Sequence, residues 1–155
     1  MIKICFVCLG NICRSPMAEF IMKNLIVKNN MINSFYITSK ATSYEEIGNS
    51  IYPPAKEKLI EKKIFFDNKK KASRLEKEDL NKFDYVIGME EKNITNIKRI
   101  LNSNDDQKIF RLLDYSNNPR DISDPWYTND FEKAYNDIYE GCKSLLDFFI
   151  ENNIV

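Results

Sequence analysis

Short β-favouring runs and amphipathic helical stripes alternate along the whole chain. An apolar run at residues 2–7 precedes a stripe whose members recur at three- and four-residue intervals, namely Met17, Phe20, Ile21 and Leu25. The last stripe places six side chains on one helical face: Phe131, Tyr135, Ile138, Cys142, Leu145 and Phe149. This alternation predicts an α/β fold in which a parallel sheet has helices on both faces and binds its ligand at the carboxyl ends of the strands.

The same pattern places the remaining elements. We expect further strands at residues 34–39, 83–89 and 109–113. A helix that starts at Pro16 should end near Asn29, and a shorter one should run from Pro53 to about Lys62. A third helix carries the stripe Ile94, Ile97 and Leu101.

Polar signals mark the element ends and loops. Ser15 is expected to cap the first helix, and Asn129 with Glu132 three residues on is typical of a capping box for the last helix. Residues 40–48 form an irregular loop that should face the carboxyl ends of the strands. The basic run 69–71, with Arg74 after it, is interpreted as a solvated segment.

The loop between the first strand and the first helix carries the candidate chemistry. Backbone N–H groups at a helix start form an anion site, and the same field favours the thiolate of a cysteine such as Cys8. Arg14 can grip two phosphoryl oxygens bidentately. Gly10 and Asn11 tolerate the left-handed backbone angles that such a loop needs. Ser15 can donate its hydroxyl to the sulfur when a phosphoenzyme breaks down.

The sequence from Cys8 to Ser15, followed by Pro-Met-Ala-Glu, resembles the phosphate-binding loop of low-molecular-weight protein tyrosine phosphatases. Further matching segments occur in the family's order: Ala41-Thr42-Ser43, Lys77-Glu78-Asp79, residues 83–87 and residues 124–131. The resemblance spans nearly the whole chain. It implies one flavodoxin-like domain, residues 1–155, with a four-stranded parallel sheet and the active site in the loop after the first strand. The implied phosphate-binding residues are Leu9, Gly10, Asn11, Ile12, Cys13, Arg14 and Ser15.

The resemblance also implies a mechanism. Cys8 would attack the phosphoryl group of phosphotyrosine to form a cysteinyl-phosphate, and Asp124 would protonate the departing phenolate and later activate water. Asp121 and Asp130 are the substitutes if Asp124 is only a turn residue. No metal or other cofactor is needed, because Arg14 and the backbone amides supply the charge stabilisation.

Several features concern the surroundings of the nucleophile. The resemblance implies reversible protection of Cys8 through a disulfide with Cys13. Tyr44, Trp126 and Tyr127 are candidates for the wall of an aromatic pocket. The chain departs from the family at two places. Glu45, with Glu46 beside it, stands one position past Tyr44, where many members carry an aromatic residue, and Lys70 lies near the position of a histidine that supports the loop.

Composition narrows the choice of function. The chain has no histidine, which excludes Cys-His proteases, Ser-His-Asp hydrolases and histidine-based metal sites. Lysine plus arginine and aspartate plus glutamate number 23 each, so net charge gives no case for a nucleic-acid or membrane partner. The expected partners are tyrosine-phosphorylated proteins and inorganic phosphate, as product and inhibitor. A thiolate enzyme without a disulfide framework suits the cytoplasm.

Other functions stay open at this point. An arsenate reductase could use the same scaffold, although it needs a late pair of cysteines and only Cys142 lies late in the chain. A phosphotyrosine-binding module without turnover would not need Asp124. A flavodoxin-like nucleotide binder would not need Cys8.

Overall fold

The computed structural model describes residues 1–155 and contains one four-stranded parallel sheet in the order β2-β1-β3-β4. The strands are β1 (Ile2–Cys8), β2 (Phe35–Ala41), β3 (Tyr85–Gly88) and β4 (Ile109–Arg111). The helices are α1 (Arg14–Lys28), α2 (Pro53–Glu61), α3 (Glu91–Leu101), α4 (Pro125–Thr128) and α5 (Phe131–Glu151). The predicted α/β class, the parallel sheet and the helices on both faces are confirmed.

Two apolar clusters cover the two faces of the sheet. Along β1, Ile4 and Phe6 pack into the larger cluster with α1 and α5, whereas Cys5 and Val7 face the smaller cluster with α3. All six members of the predicted stripe on α5 are buried. The alternation of side chains along β1 also places Cys5 and Cys8 on opposite faces of the sheet, so these two cysteines do not form a pair.

Several element boundaries differ from the predictions. β3 and β4 are shorter than expected, because residues 83–84 precede the β3 pairing and Leu112–Tyr115 turns into a short 3-10 helix. The prediction of a capping box at Asn129 is wrong. Asn129 has φ 59° and ends α4, and Asp130 caps α5 by accepting from the N–H of Lys133.

The register of the central strand determines what meets at the carboxyl edge of the sheet. Cys8 lies beside Ala41 of β2, and Val7 lies beside Gly88 of β3. Gly88 allows α3 to approach closely, since a Cβ there would lie 2.9 Å from the Cβ of Asn93. The segments that leave β1, β2 and β3 therefore start side by side. No helix in the structure combines the length and the apolar character that a membrane crossing requires.

Candidate active site

The loop after β1 forms a cradle of backbone donors around the sulfur of Cys8. Asn11 has φ 60°, a left-handed conformation that turns its N–H toward this sulfur at 3.3 Å. The N–H groups of Gly10, Ile12 and Cys13 donate to no other protein group. With the free N–H groups in the first turn of α1, they form a site that suits a tetrahedral oxyanion.

Ser15 occupies a different place from the predicted one. α1 begins at Arg14, its N-cap is Cys13, and no side chain caps it. The hydroxyl of Ser15 instead lies 3.1 Å from the Sγ of Cys8 and accepts from the Nδ2 of Asn11 at 2.7 Å. The cap prediction was wrong because a buried neighbour takes this hydroxyl. Contact with Cys8, which the sequence predicts for Ser15, is present.

Arg14 is buried and holds three partners. Its Nη1 donates to the carbonyl of Ile122 at 2.9 Å and to the carboxylate of Glu90, and its Nη2 lies 3.2 Å from the Oδ2 of Asp124. Burial lowers the pKa of Arg14, but the negative charges on Cys8, Asp124 and Glu90 outweigh it and raise the pKa above the ordinary value. The guanidinium therefore keeps its charge next to the sulfur.

Glu90 is a site residue that the sequence analysis missed. It follows β3 by two positions and so lies at the same sheet edge as Cys8. Asn93 holds this turn, since its Oδ1 accepts from the N–H groups of Met89 and Glu90, both at 3.0 Å. The available signal was an acidic residue directly after a strand that neighbours β1.

Asp124 makes both a turn contact and a contact inside the cleft, and its role as general acid and base stays a prediction. Its Oδ1 accepts from the N–H of Trp126 and caps α4, while its Oδ2 faces Arg14. The substitute carboxylates are engaged elsewhere: Asp121 accepts from the N–H of Glu91, and Asp130 caps α5. Asp124 is thus the one of the three that lines the cleft.

The cleft over the loop is open to solvent, and the empty space in and above it is about 550 Å³. Its wall combines loop residues with carboxylates and aromatic side chains: Cys8, Leu9, Gly10, Ile12, Cys13, Arg14, Glu45, Glu46, Asp124, Trp126 and Tyr127. Tyr44, expected in the wall, is outside it. The guanidinium of Arg74 packs 4.1 Å from the ring centre of Tyr44, and Glu45 and Glu46 form this part of the wall.

All four cysteines are free thiols and lie below the surface. Burial raises the pKa of Cys13, and the negative charges on Cys8 and Asp124 raise it further. Burial alone raises the pKa of Cys142, which packs between α5 and α1 with its sulfur 3.7 Å from the carbonyl of Ala18. The disulfide between Cys8 and Cys13 stays a prediction.

Lys70 departs from the predicted solvated segment. Its side chain is 13% exposed, and its Nζ donates to the carbonyl of Ser39 at 2.9 Å and lies 3.2 Å from the Oε1 of Glu19. The interpretation as a surface residue was wrong because the buried carboxylate of Glu19 requires a cation. Lys70 therefore lies behind the loop, on the side away from the cleft.

The first strand of this parallel sheet ends at a cysteine, the loop after it forms a cradle of backbone donors, and a buried arginine starts the next helix. Together these features define a thiol-based phosphate site. The sequence pattern of the low molecular weight phosphotyrosine protein phosphatase family matches residues 3–153. The chain belongs to this family.

Individual relatives cover the chain almost completely. The low molecular weight protein-tyrosine-phosphatase PtpA of Staphylococcus saprophyticus is 40% identical over 153 residues, which are 98% of this chain and 96% of the relative. Among solved structures, SP-PTP, a low molecular weight protein tyrosine phosphatase from Streptococcus pyogenes, is 41% identical with a TM-score of 0.84, covering 95% of this chain and 92% of that one. YfkJ from Bacillus subtilis is 36% identical with a TM-score of 0.93, covering 98% and 96%.

Proposed function

We propose that this protein hydrolyses phosphotyrosine in proteins, and small aryl phosphates, through a cysteinyl-phosphate on Cys8. Arg14 clamps the phosphoryl group, and Asp124 is the general acid and base. The observation that carries this proposal is the meeting of these three side chains in one cleft, with the Oδ2 of Asp124 3.2 Å from the guanidinium of Arg14. Membership in the family supports it.

In the first half of the reaction, the thiolate of Cys8 attacks phosphorus from the base of the cradle. Two phosphoryl oxygens accept hydrogen bonds from the guanidinium of Arg14. Asp124 is thereby released from its ion pair with Arg14, and its carboxyl group faces the leaving group. The bond between phosphorus and the phenolic oxygen breaks, and protonated Asp124 gives its proton to that oxygen. The backbone N–H groups stabilise the charge on the equatorial oxygens.

In the second half, Asp124 takes a proton from a water molecule whose oxygen attacks the cysteinyl-phosphate. The bond between sulfur and phosphorus breaks, and the hydroxyl of Ser15 donates to the sulfur that leaves as a thiolate. Inorganic phosphate is released. Because phosphate fits the same cradle, we expect it to compete with the substrate.

The substrate is an aryl phosphate because the phosphoryl group must reach the base of a cleft with aromatic walls. Trp126 and Tyr127 can flank a phenyl ring, and a phosphoserine is shorter by most of that ring. The reaction needs a free thiolate on Cys8, so we assign the protein to the reducing cytoplasm. A nucleic acid or a membrane has no part in this function.

Hydrolysis of p-nitrophenyl phosphate by the wild type, Cys8→Ser and Asp124→Ala tests the proposal. We expect no turnover for Cys8→Ser, and a loss of kcat on the order of 10²–10⁴ for Asp124→Ala, the range typical of a general acid. Asp121→Ala is the matched control, because it removes a carboxylate outside the cleft, and it should keep the wild-type rate. A Cys8→Ser protein that still turns over would refute the proposal.

Iodoacetamide labelling read by mass spectrometry gives a second measurement. At neutral pH we expect it to label Cys8 first, because burial keeps Cys13 and Cys142 protonated through their raised pKa values. Inorganic phosphate should slow the labelling of Cys8. Equal labelling of Cys13 would contradict the assignment of the nucleophile.

The arsenate reductase remains the second enzyme class to test. The buried position of Cys142 in α5 disfavours it, since a disulfide relay needs a late thiol that can reach the site. Arsenate-dependent oxidation of thioredoxin by the protein would favour it over hydrolysis. A binding module without turnover would bind phosphotyrosine peptides but release no phosphate.

A further inference from the structure

The wall of the cleft carries negative charge near its opening. Its charged side chains are Arg14, Glu45, Glu46 and Asp124. The side chain of Arg14 is only 3% exposed, and its charge is shared with Glu90 and Asp124. Glu45 and Glu46 form no ion pair, because the contacts in their part of the wall involve no cation. The charge that a substrate meets as it enters the cleft is therefore negative.

One of these two carboxylates, that of Glu46, is fixed over the loop at residues 8–15. Its Oε2 accepts from the Nδ2 of Asn49 at 2.6 Å, and a Cβ on Gly10 would lie 3.3 Å from its Cγ. The charge of Glu46 also reaches the base of the cleft, since it adds to the effect of burial in raising the pKa of Cys13. Glu46 is thus a fixed part of the wall with a partner of its own.

Glu45 has an anchored backbone and a carboxylate without a partner in the protein. Its N–H donates to the Oγ of Ser43 at 3.0 Å, which holds the turn. The residue is exposed, and its side chain lines the cleft without making a hydrogen bond or an ion pair to another residue. Its carboxylate is therefore available to a ligand at the opening.

The basic side chain that contacts this loop, Arg74, does not neutralise Glu45. Its guanidinium packs on the ring of Tyr44, the residue before Glu45. Its Nε donates to the carbonyl of Thr42 at 3.2 Å, and its Nη1 lies 3.5 Å from the carboxylate of Glu76. Because these contacts engage the arginine, the full charge of Glu45 remains at the opening.

A phosphotyrosine in this cleft would bring its neighbouring residues to the opening. In the proposed reaction, the phosphoryl group lies at the base against Cys8, and the ring passes Trp126 and Tyr127. Adjacent Cα atoms of a peptide are about 3.8 Å apart, so the residues on either side of the phosphotyrosine emerge at the edge of the cleft. A basic side chain there would be attracted by Glu45, and an acidic one would be repelled.

We propose that Glu45 is a specificity-determining residue that favours substrates with arginine or lysine next to the phosphotyrosine over substrates with acidic residues there. This inference rests on the proposed function, since it concerns the substrates of the same cleft. Glu45 acts on the residues that flank the reacting group and takes no part in the chemical step. It stands where the chain departs from its family, and an aromatic side chain at this position would not provide the same preference.

Two phosphotyrosine peptides test the proposal. Both are otherwise made of alanine, and one has arginine and the other aspartate on both sides of the phosphotyrosine. The measured quantity is the ratio of kcat/KM for the arginine peptide to that for the aspartate peptide, because an effect on the shared chemistry cancels in it. An exposed ion pair is worth up to about fivefold in affinity, and repulsion of aspartate adds to this attraction. We therefore expect a ratio of about ten for the wild type.

Four variants show which residue is responsible for this ratio. Glu45→Gln should lower it about threefold, and Glu45→Lys should bring it to about one or below. Glu46→Gln should change it less than Glu45→Gln does, because the carboxylate of Glu46 is already bonded to Asn49. Glu151→Lys is the matched control for the change in net charge. It lies at the last residue of α5, about 30 Å from the start of that helix, and should keep the wild-type ratio.

Two further measurements separate a role in specificity from a merely structural one. The difference between the two peptides should lie mainly in KM, because the flanking residues are remote from the reacting atoms. The wild-type ratio should also fall toward one when NaCl is raised from about 0.05 M to about 0.5 M, since salt screens exposed charges. A structural disturbance in Glu45→Gln would instead change the rates of both peptides alike.

The proposal fails if the wild-type ratio lies within about twofold of one, or if Glu45→Gln and Glu45→Lys both keep the wild-type ratio. A ratio that responds to Glu46→Gln but not to Glu45→Gln would also overturn it. Failure of the proposed function is a different result, in which the wild type hydrolyses neither peptide and no p-nitrophenyl phosphate. Binding of the two peptides, labelled with fluorescein, then tests the charge preference without turnover. Cys8→Ser should bind the arginine peptide more tightly, and the added substitution Glu45→Lys should remove this difference in Kd.

Discussion

The two sides of the loop at residues 8–15 are built for opposite requirements. On the cleft side, Arg14 pairs with Glu90 and Asp124, whose side chains are 21% and 18% exposed, and three backbone N–H groups of the loop have no protein acceptor. On the rear side, Asn11 and Ser39 are completely buried, and their polar atoms are bonded to one another and to Glu19. The cleft side can exchange partners, and the rear side cannot.

This difference follows from what each side does in the proposed reaction. A phosphoryl group that enters the cleft must take the guanidinium of Arg14 away from Asp124, so that contact has to be replaceable. A buried polar network is costly unless every member is satisfied, and once satisfied it is rigid. A rigid rear side keeps Asn11 in its left-handed conformation while the partners in front change.

Arg14→Lys is expected to break the cleft side and to have the largest effect. Lysine keeps the charge but lacks the planar pair of donors that holds two phosphoryl oxygens. We expect kcat/KM for p-nitrophenyl phosphate to fall by about 10³, which is about 4 kcal/mol of transition-state stabilisation. The midpoint of thermal unfolding should change little, because a cation still faces Glu90.

If Arg14→Lys kept kcat/KM within a few-fold of the wild type, the role assigned to Arg14 would be wrong. Arg111→Lys is a suitable control, because Arg111 lies at the same sheet edge and pairs with Asp114 and Asp121 outside the cleft. Its kinetic constants should remain those of the wild type.

Asn11→Ala is expected to break the rear side. Alanine removes two donors and one acceptor from a buried network and is strained at φ 60°. Loss of these hydrogen bonds should lower the free energy of unfolding by about 3 kcal/mol. For a chain of this size, that is a drop of roughly 10 °C in the midpoint of thermal unfolding.

Calorimetry would check this value against Asn30→Ala, a substitution at an exposed residue with φ 56°. Because the backbone strain is similar at the two positions, the difference between them isolates the network. Equal losses of stability would show that the contacts of Asn11 contribute nothing beyond its conformation.

The sequence predicts the parts of this fold that depend on local pattern. The stripe on α5, the start of α2 at Pro53 and the end of α1 at Asn29 follow from periodicity and from the backbone limits of proline, and the structure confirms them. The cap predictions at Ser15 and Asn129 were wrong, although each residue is of a type that often caps helices. The side chain of Ser15 contacts Cys8 and Asn11, and the backbone of Asn129 ends α4. The local sequence pattern does not contain these contacts.

In the candidate site, too, the residues that lie close together in sequence could be predicted, and those from distant segments could not. Cys8, Arg14 and Ser15 come from one short segment, so their fixed spacing places them together. Glu90 and Lys70 contact Arg14 and Glu19, which lie 76 and 51 residues earlier in the chain. The position of Glu90 just after a strand indicates the sheet edge where it lies, but the local sequence around either residue does not indicate its partner. Tyr44 was misplaced for a related reason, because Arg74 packs on its ring from a distant segment.

Glu132 lies outside both sides of the loop, so Glu132→Gln serves as a reference for the two variants above. Of the three, it should have the smallest effect. Hydrogen bonds from Lys58 and Lys62 of the α2 region lower the pKa of Glu132 on α5 from 4.5 to about 2. A lowered pKa means that the ionised form stabilises the fold, so this contribution is complete above pH 4.5 and disappears as the pH falls toward 2. Because the pair is exposed, solvent screens it, and we expect Glu132→Gln to lower the melting midpoint at pH 7 by only about 1 °C.

The difference in melting midpoint between Glu132→Gln and the wild type should shrink in thermal scans at pH 4 and pH 3 and in high salt, while kcat stays unchanged. A difference that grew as the pH fell would reverse the sign of this linkage and show that the pair does not act through the charge of Glu132.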